Sequence, residues 1–396
     1  MAAWLVAACT PTGSPSAGPA SPSPSGTPPP NPSPTAAPTD RPAHTTSPEA
    51  LRQKIGRMLM VGFRGTALEL GSPVMRAIAA GELGGVILFD RDRLTDTAGR
   101  NIASPEQLVA LTSALRTSAL GGPVGPELLI AVDQEGGRVA RLNPSNGYPA
   151  TESEADLGAA NDLDHTTDVA ILTAITLNGA GIDMNLAPVV DLNLNPANPA
   201  IGALDRSFSP ELTVVVAQAT AMIEAETGAG IRCVIKHFPG EGSATGGTDE
   251  GIVDVTATWT SAELEPFRAL VALGLPAGVM VGHIRNDHLD PDRPASLSAP
   301  TVSGLLRGDL DWSGVVVSDD LQAPAITQAY GADEAIALAI EAGVDLLLFA
   351  NQQVYDEAIV ERVIASVVAF VESGRIGEAR LDESVDRIEA LFATVE

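Results

Sequence analysis

Eight short runs of apolar, largely β-branched residues recur along this chain at spacings of roughly 25–50 residues, separated by stretches with helical spacing. In order they are MLMVGF (58–63), GGVILF (84–89), LLIAVD (128–133), DMNLAPVVD (183–191), RCVIKH (232–237), GVMVGHI (278–284), GVVVSDD (314–320) and VDLLLFAN (344–351). The runs are continuous rather than alternating, which predicts strands covered on both faces, as in a parallel sheet. Between them, residues 104–119, 168–181, 209–228 and 333–343 carry helical periodicity, and some open with Ser-Pro, an N-cap followed by a first-turn proline. Eight such units predict a (β/α)8 barrel of the TIM type. The rival, a doubly wound open sheet, lacks its signature, because no GxGxxG opens a helix. Residues 356–374 and 379–395 read as two terminal helices of the same domain.

The barrel reading covers residues 48–396. Before it, residues 10–47 are almost entirely Pro, Ser, Thr, Ala and Gly and carry too little apolar surface to offset the entropy of ordering, so they read as an extended spacer. Residues 1–9, MAAWLVAAC, end in small residues before Cys9, as at a bacterial lipidation site, although the basic flank of a secretory leader is missing. Cys9 is therefore the expected lipidation site, with the folded part extracytoplasmic or secreted and a membrane contact only through that lipid. Nothing beyond the spacer has the length of a membrane-spanning helix.

The formal charge of -27, from 50 acidic and 23 basic residues, argues against nucleic acid or an anionic lipid surface as a partner. Cys9 and Cys233 make no disulfide framework. The five histidines show no metal-ligand spacing, so neither metal nor organic cofactor is expected. A monomer is expected.

In a barrel of this kind the chemistry lies at the C-terminal ends of the strands. Polar residues gather there: Asp133, Gln134 and Glu135 after the third run, Asp191 and Asn193 after the fourth, Lys236 and His237 in the fifth. His283 follows in the sixth, then Ser318, Asp319 and Asp320, and finally Asn351. One such Asp alone is more simply the N-cap of the next helix. A ring of carboxylates, amides and an ammonium suits a polyhydroxylated ligand, because sugars need many short directional hydrogen bonds.

These segments, with VDQEGGRVARL, DRSFS, KHFPGEG, SDDL and AGVDLLLFAN in that order, resemble glycoside hydrolase family 3 over about residues 50–352. Within it they are similar to the compact bacterial β-N-acetylglucosaminidases, and in particular to actinobacterial lipoprotein members. The resemblance implies that Asp319 is the nucleophile and that Asp133, Arg206, Lys236 and His237 grip the sugar. His283, at the end of the sixth run, is a further expected substrate contact. One loop departs from the pattern. Many members close the loop after KHFPG with Asp-Ser-His, an acid/base dyad; here Gly247-Thr248-Asp249 stands in its place. Asp249 is the first candidate for the acid/base, and Glu241 and Glu250 are the alternatives.

The resulting expectation is a retaining exo-glycosidase that removes a terminal β-linked N-acetylhexosamine (GlcNAc) from cell-wall fragments by double displacement. The alternatives are a non-catalytic sugar-binding lipoprotein on the same scaffold, or a β-glucosidase or β-xylosidase of the family.

Overall fold

In the computed structural model, which describes residues 46–122 and 127–393, all eight runs contribute strands to one sheet. The strands are β1 (Leu59–Gly62), β2 (Gly85–Ile87), β3 (Leu129–Val132), β4 (Met184–Asn185), β5 (Arg232–Phe238), β6 (Gly278–Val281), β7 (Val315–Ser318) and β8 (Leu347–Phe349). Each pairs in parallel with the next through β7, and β8 returns to β1 through Leu59↔Leu347, Met60↔Leu348 and Val61↔Phe349. The ring is completed where β7 meets the residue before β8, by the single bridge Val317↔Leu346. This is the expected near-closed barrel. Every strand residue is buried, which explains why the runs are apolar on both alternating faces.

The helices follow the periodicity closely. The 104–119 stretch is a helix over Pro105–Leu120, with Ser104 Oγ accepting the Gln107 N–H. The helix expected from residue 209 begins only at Leu212, because Ser209 Oγ takes the Glu211 N–H in a turn of its own. The fourth run gives the largest departure. Residues 183–191 yield a strand only at Met184–Asn185 and one later bridge, Val189↔Lys236. Pro188 has no N–H to donate, and the Val189 N–H goes to the Glu154 carboxylate at 2.8 Å, so the ladder breaks there. Between β6 and β7 a wide π-helix, Pro300–Asp309, forms where periodicity marked nothing.

The first helix, Pro48–Arg57, is capped by Ser47, the last residue of the expected spacer. Cys9 and the spacer up to residue 45 lie outside the described residues. Among the described residues no helix is long and apolar enough to cross a membrane.

The face of the barrel opposite the strand C-termini is held by buried charge. Asp345, fully buried before β8, accepts the Val316 N–H at 2.9 Å, Arg307 at 2.6 Å, Ser384 at 2.8 Å and Arg387 at 3.1 Å. It ties β7, the π-helix and the C-terminal helix Glu378–Ala393 to one carboxylate. Removing one partner of such a buried set strands the remaining charges. Asp345→Ala is expected to cost about 3–5 kcal/mol of stability in denaturant melts. A loss below about 1 kcal/mol, the range of an exposed pair, would show that the carboxylate is dispensable.

Candidate active site

The strand C-termini open on a cavity of about 550 Å³. Its floor is built around Lys236, on β5, whose side chain is 2% exposed. The Nζ lies 2.9 Å from Asp133 and 2.6 Å from Glu135, both just past β3. Arg206 grips Glu135 with both arms, at 2.7 and 2.8 Å, and its third contact is the Ala200 carbonyl. Burial alone would neutralise these groups. Lys236 and Arg206 outweigh it and hold Asp133 and Glu135 well below the usual carboxylate range. The same pairings override burial for Lys236 and keep it charged.

His237 is oriented from behind. Its Nδ1 lies 2.8 Å from Asp191, and its Nε2 faces the Arg206 guanidinium at 3.3 Å. The Asp191 carboxylate stabilises the protonated ring and, against burial, raises its pKa above the ordinary value. Asp191 is fully buried and also takes the backbone N–H groups of His237 and Glu241, so one carboxylate fixes the strand end and the start of the following loop.

Asp319 lines the cavity at the end of β7. Its Oδ1 accepts the Asp320 N–H at 2.7 Å and its own N–H bonds the Val281 carbonyl at 3.0 Å. Burial pushes its pKa up, but the charges that His283 and His237 carry at the acid pH where a carboxylate titrates, with the Asp320 N–H and Lys236, bring it below the ordinary value. Asp319 is thus a carboxylate through the neutral range. Asp320 instead holds the backbone: its Oδ1 accepts the N–H groups of Gln322 and Ala350 and pins the turn after β7 to the end of β8. Burial raises its pKa to about 7.

The two candidate acids on the loop after β5 sit in different surroundings. Glu241 lines the cavity but is only 4% exposed, and its Oε1 has no hydrogen-bond partner among the described residues. Burial raises its pKa to about 8; nearby His237 lowers it, and Asp191 and Asp319 push it up further. The carboxyl occupies space left by Gly282 at the end of β6, where a Cβ would lie 2.1 Å from Oε1. Asp249 is 55% exposed at the rim, ion-paired with Arg93 at 2.6 Å and accepting from Gln353 at 3.2 Å. Glu250 also lines the rim and is exposed.

The structure brings most of the expected residues together. Asp133, Arg206, Lys236, His237, Asp319, Asp249 and Glu241 all line one cavity. His283 is not brought to its wall. Its Nε2 faces the Asp320 carbonyl at 2.9 Å and its Nδ1 the Ser296 hydroxyl at 2.7 Å, so both ring nitrogens are used in bracing the turn that carries Asp319. Burial lowers its pKa, as suits a neutral strut. Glu135 and Asp191 belong to the site as well, although sequence alone marks them only as two of many polar residues at strand ends. Nothing in the sequence marks Glu154, a buried helix residue whose pKa burial and the Glu135 charge raise well above normal. No group of three or more His, Cys, Asp or Glu among the described residues is arranged to hold a metal ion.

Fold and site together define a barrel whose mouth presents an ionised carboxylate, a neutral carboxyl and a fixed set of hydrogen-bonding charges to a polyhydroxylated ligand. The chain belongs to glycosyl hydrolase family 3: the model of the family's N-terminal domain matches residues 50–391. β-Hexosaminidase A of Pseudoalteromonas piscicida is 31% identical over 386 residues, covering 88% of this chain and 62% of that protein. The chain therefore spans somewhat under two thirds of that relative's length. The solved family 3 β-N-acetylglucosaminidase of Paenibacillus sp. str. FPU-7 superposes with a TM-score of 0.78 at 35% identity, covering 87% of this chain and 62% of that one. The β-N-acetylhexosaminidase of Beutenbergia cavernae DSM 12333 gives 0.75 at 34%, over 86% and 97% respectively.

Titration of carboxyl-labelled protein by NMR should show a glutamate with a midpoint near 8 that is missing in Glu241→Gln. Loss of no signal above about pH 6 in that variant would contradict a buried neutral carboxyl, since an ordinary glutamate titrates near 4.3.

Proposed function

We propose that this chain is a retaining glycosidase that removes a terminal β-linked N-acetylhexosamine, GlcNAc, from a cell-wall oligosaccharide. The observation that carries this reading is the pairing, in one cavity, of Asp319 held ionised and Glu241 held protonated, beside the Lys236–Asp133–Glu135–Arg206 cluster. Retaining hydrolysis needs one carboxyl in each state. The solved relatives named for that activity, and the curated relative, support the choice of sugar.

The sugar's hydroxyls bond the buried cluster, which brings the anomeric carbon to Asp319. Asp319 attacks that carbon, and the bond to the glycosidic oxygen breaks as Glu241 gives it a proton. Glu241, now a carboxylate, takes a proton from water. The water oxygen bonds the anomeric carbon and Asp319 leaves, so the product keeps the β configuration. Glu241 is preferred to Asp249 for the proton because it is buried in the cavity, whereas Asp249 is exposed at the rim and held there by the Arg93 guanidinium. A purely sugar-binding role would need no ionised acid at Asp319 beside a neutral one. The other specificities of the family are separated by aryl glycosides that differ only at the sugar 2-position.

The enzyme acts outside the cytoplasm as a monomer, tethered through a lipid on Cys9 and the Pro/Ser/Thr-rich spacer; the sequence of residues 1–47 supports this part of the reading.

Glu241→Gln is expected to slow hydrolysis of an unactivated GlcNAc disaccharide by about 10²–10⁴-fold, and that of an aryl glycoside with a good leaving group far less. Asp249→Asn should change both by less than about tenfold, below the range for loss of a general acid. The opposite ranking would transfer the donor role to Asp249. In the wild type, kcat/KM should fall as pH rises past about 8, where Glu241 loses its proton, and this limb should vanish in Glu241→Gln. A rate that rises through pH 8 would contradict the assignment.

A further inference from the structure

Among the described residues nothing donates a hydrogen bond to the Oε1 of Glu241, so the aim of this carboxyl depends on its backbone and on the volume left by Gly282. That backbone is gripped by the loop that follows β4. Asp191 Oδ1 accepts the Glu241 N–H at 2.8 Å, and Asn198 Nδ2 donates to the Glu241 carbonyl at 2.7 Å. A little further along, the Asn195 N–H bonds the Gly242 carbonyl at 3.0 Å, and Asn195 Nδ2 bonds the Ala244 carbonyl at 2.8 Å. The two segments lie so close that a Cβ on Gly242 would sit 1.6 Å from the Leu192 carbonyl oxygen.

Asn198 is fully buried and does not itself line the cavity. Its side-chain amide is used at both ends. The oxygen accepts the Ala200 N–H at 2.9 Å and the Ile201 N–H at 3.3 Å, which closes a turn over Pro199. That turn presents the Ala200 carbonyl to Arg206 at 2.7 Å, and the same guanidinium holds Glu135. The nitrogen points the other way, to Glu241. A single planar amide therefore joins the peptide of the acid to the anchor of Arg206, and it can do so because it carries an acceptor and a donor on one rigid group.

We propose that Asn198 is a positioning residue for the reaction: it fixes the Glu241 carboxyl relative to the sugar held by Arg206 and its partners. The proposal rests on the reading above in which Glu241 donates the proton. Such a donor must lie within hydrogen-bond reach of the departing oxygen, and a misplacement of about 1 Å costs up to about 10²-fold. Asp191 does not replace this bond, because it holds only the N–H side of Glu241 and also serves His237.

The test uses two variants that divide the amide. Asn198→Asp keeps an oxygen for the Ala200 and Ile201 N–H groups but has no donor for Glu241; Asn198→Ala loses both functions. After thermal melts establish that each variant folds, kcat and KM are measured on β-GlcNAc-(1→4)-GlcNAc and on aryl β-GlcNAc substrates whose phenols differ in acidity. In Asn198→Asp, kcat on the disaccharide should fall by about tenfold or more while KM stays near the wild-type value. The best aryl leaving group should lose far less, so that the dependence of rate on leaving-group acidity steepens. Asn198→Ala should show the same steepening together with a raised KM, because the turn that anchors Arg206 is lost as well. In a Glu241→Gln background neither substitution should steepen the dependence further, since the group it aims is gone. If Asn198→Asp does not fold, Asn198→Ala and its combination with Glu241→Gln decide. An equal loss on every leaving group, or a steepening that persists in the Glu241→Gln background, would overturn the positioning role and leave the donor in place. If Glu241→Gln does not itself steepen the dependence, the donor reading falls and the proposal falls with it.

Discussion

A lysine ammonium almost closed off from water, with carboxylates 2.9 and 2.6 Å away, sets the electrostatics of everything around it. Lys236 cannot sit in that position without Asp133 and Glu135, and Glu135 in turn needs both arms of Arg206. Lys236 and Arg206, the two cations at the cavity floor, are already shared among these carboxylates. Asp191 draws on the His237 ring and on backbone N–H groups. Asp319 benefits from the same histidine and from Lys236 at longer range. The next carboxyl inward, Glu241, finds no donor for its Oε1 and keeps its proton. The neutral acid is thus a consequence of how the cluster distributes its positive charge, and the ionised and protonated carboxyls arise from one constraint.

The barrel divides its buried charge by purpose. At the N-terminal ends of the strands, Asp345 and Asp183 accept arginines and strand N–H groups, and they hold strands to helices. At the C-terminal ends the charged groups face a cavity. Two further residues support the site without entering it. His283 braces the turn that carries Asp319, and Gly282 leaves the volume that Glu241 fills. Both lie on the segment that ends β6, so its backbone positions the nucleophile on one side and the neutral acid on the other.

Much of this is legible in the sequence because strand order, strand burial and the rule for barrel mouths all act through local patterns. The eight runs become eight strands, and Lys236, His237, Asp133 and Asp319 can be found by counting from the ends of those runs. The shortened β4 is written there too, in Pro188, but the partner that takes the freed Val189 amide, Glu154, lies in a helix that no motif marks. What the sequence does not show is the state of each acid. Asp249 and Glu241 are eight residues apart on one loop, yet one meets Arg93, 156 positions away, and the other meets no donor at its Oε1. The surroundings of each acid come from such long-range neighbours, as does the diversion of His283 from ligand to strut.

Double displacement requires that the Asp319 carboxylate form a bond to the sugar. A 5-fluoro-N-acetylglucosaminyl fluoride slows release of the glycosyl-enzyme and lets it accumulate, and mass spectrometry of a proteolytic digest then locates the added sugar. The mass should fall on the peptide containing Val315–Asp320, and fragmentation should place it on Asp319. A label on any other carboxylate, or steady turnover of the fluoride with no adduct, would contradict the assignment.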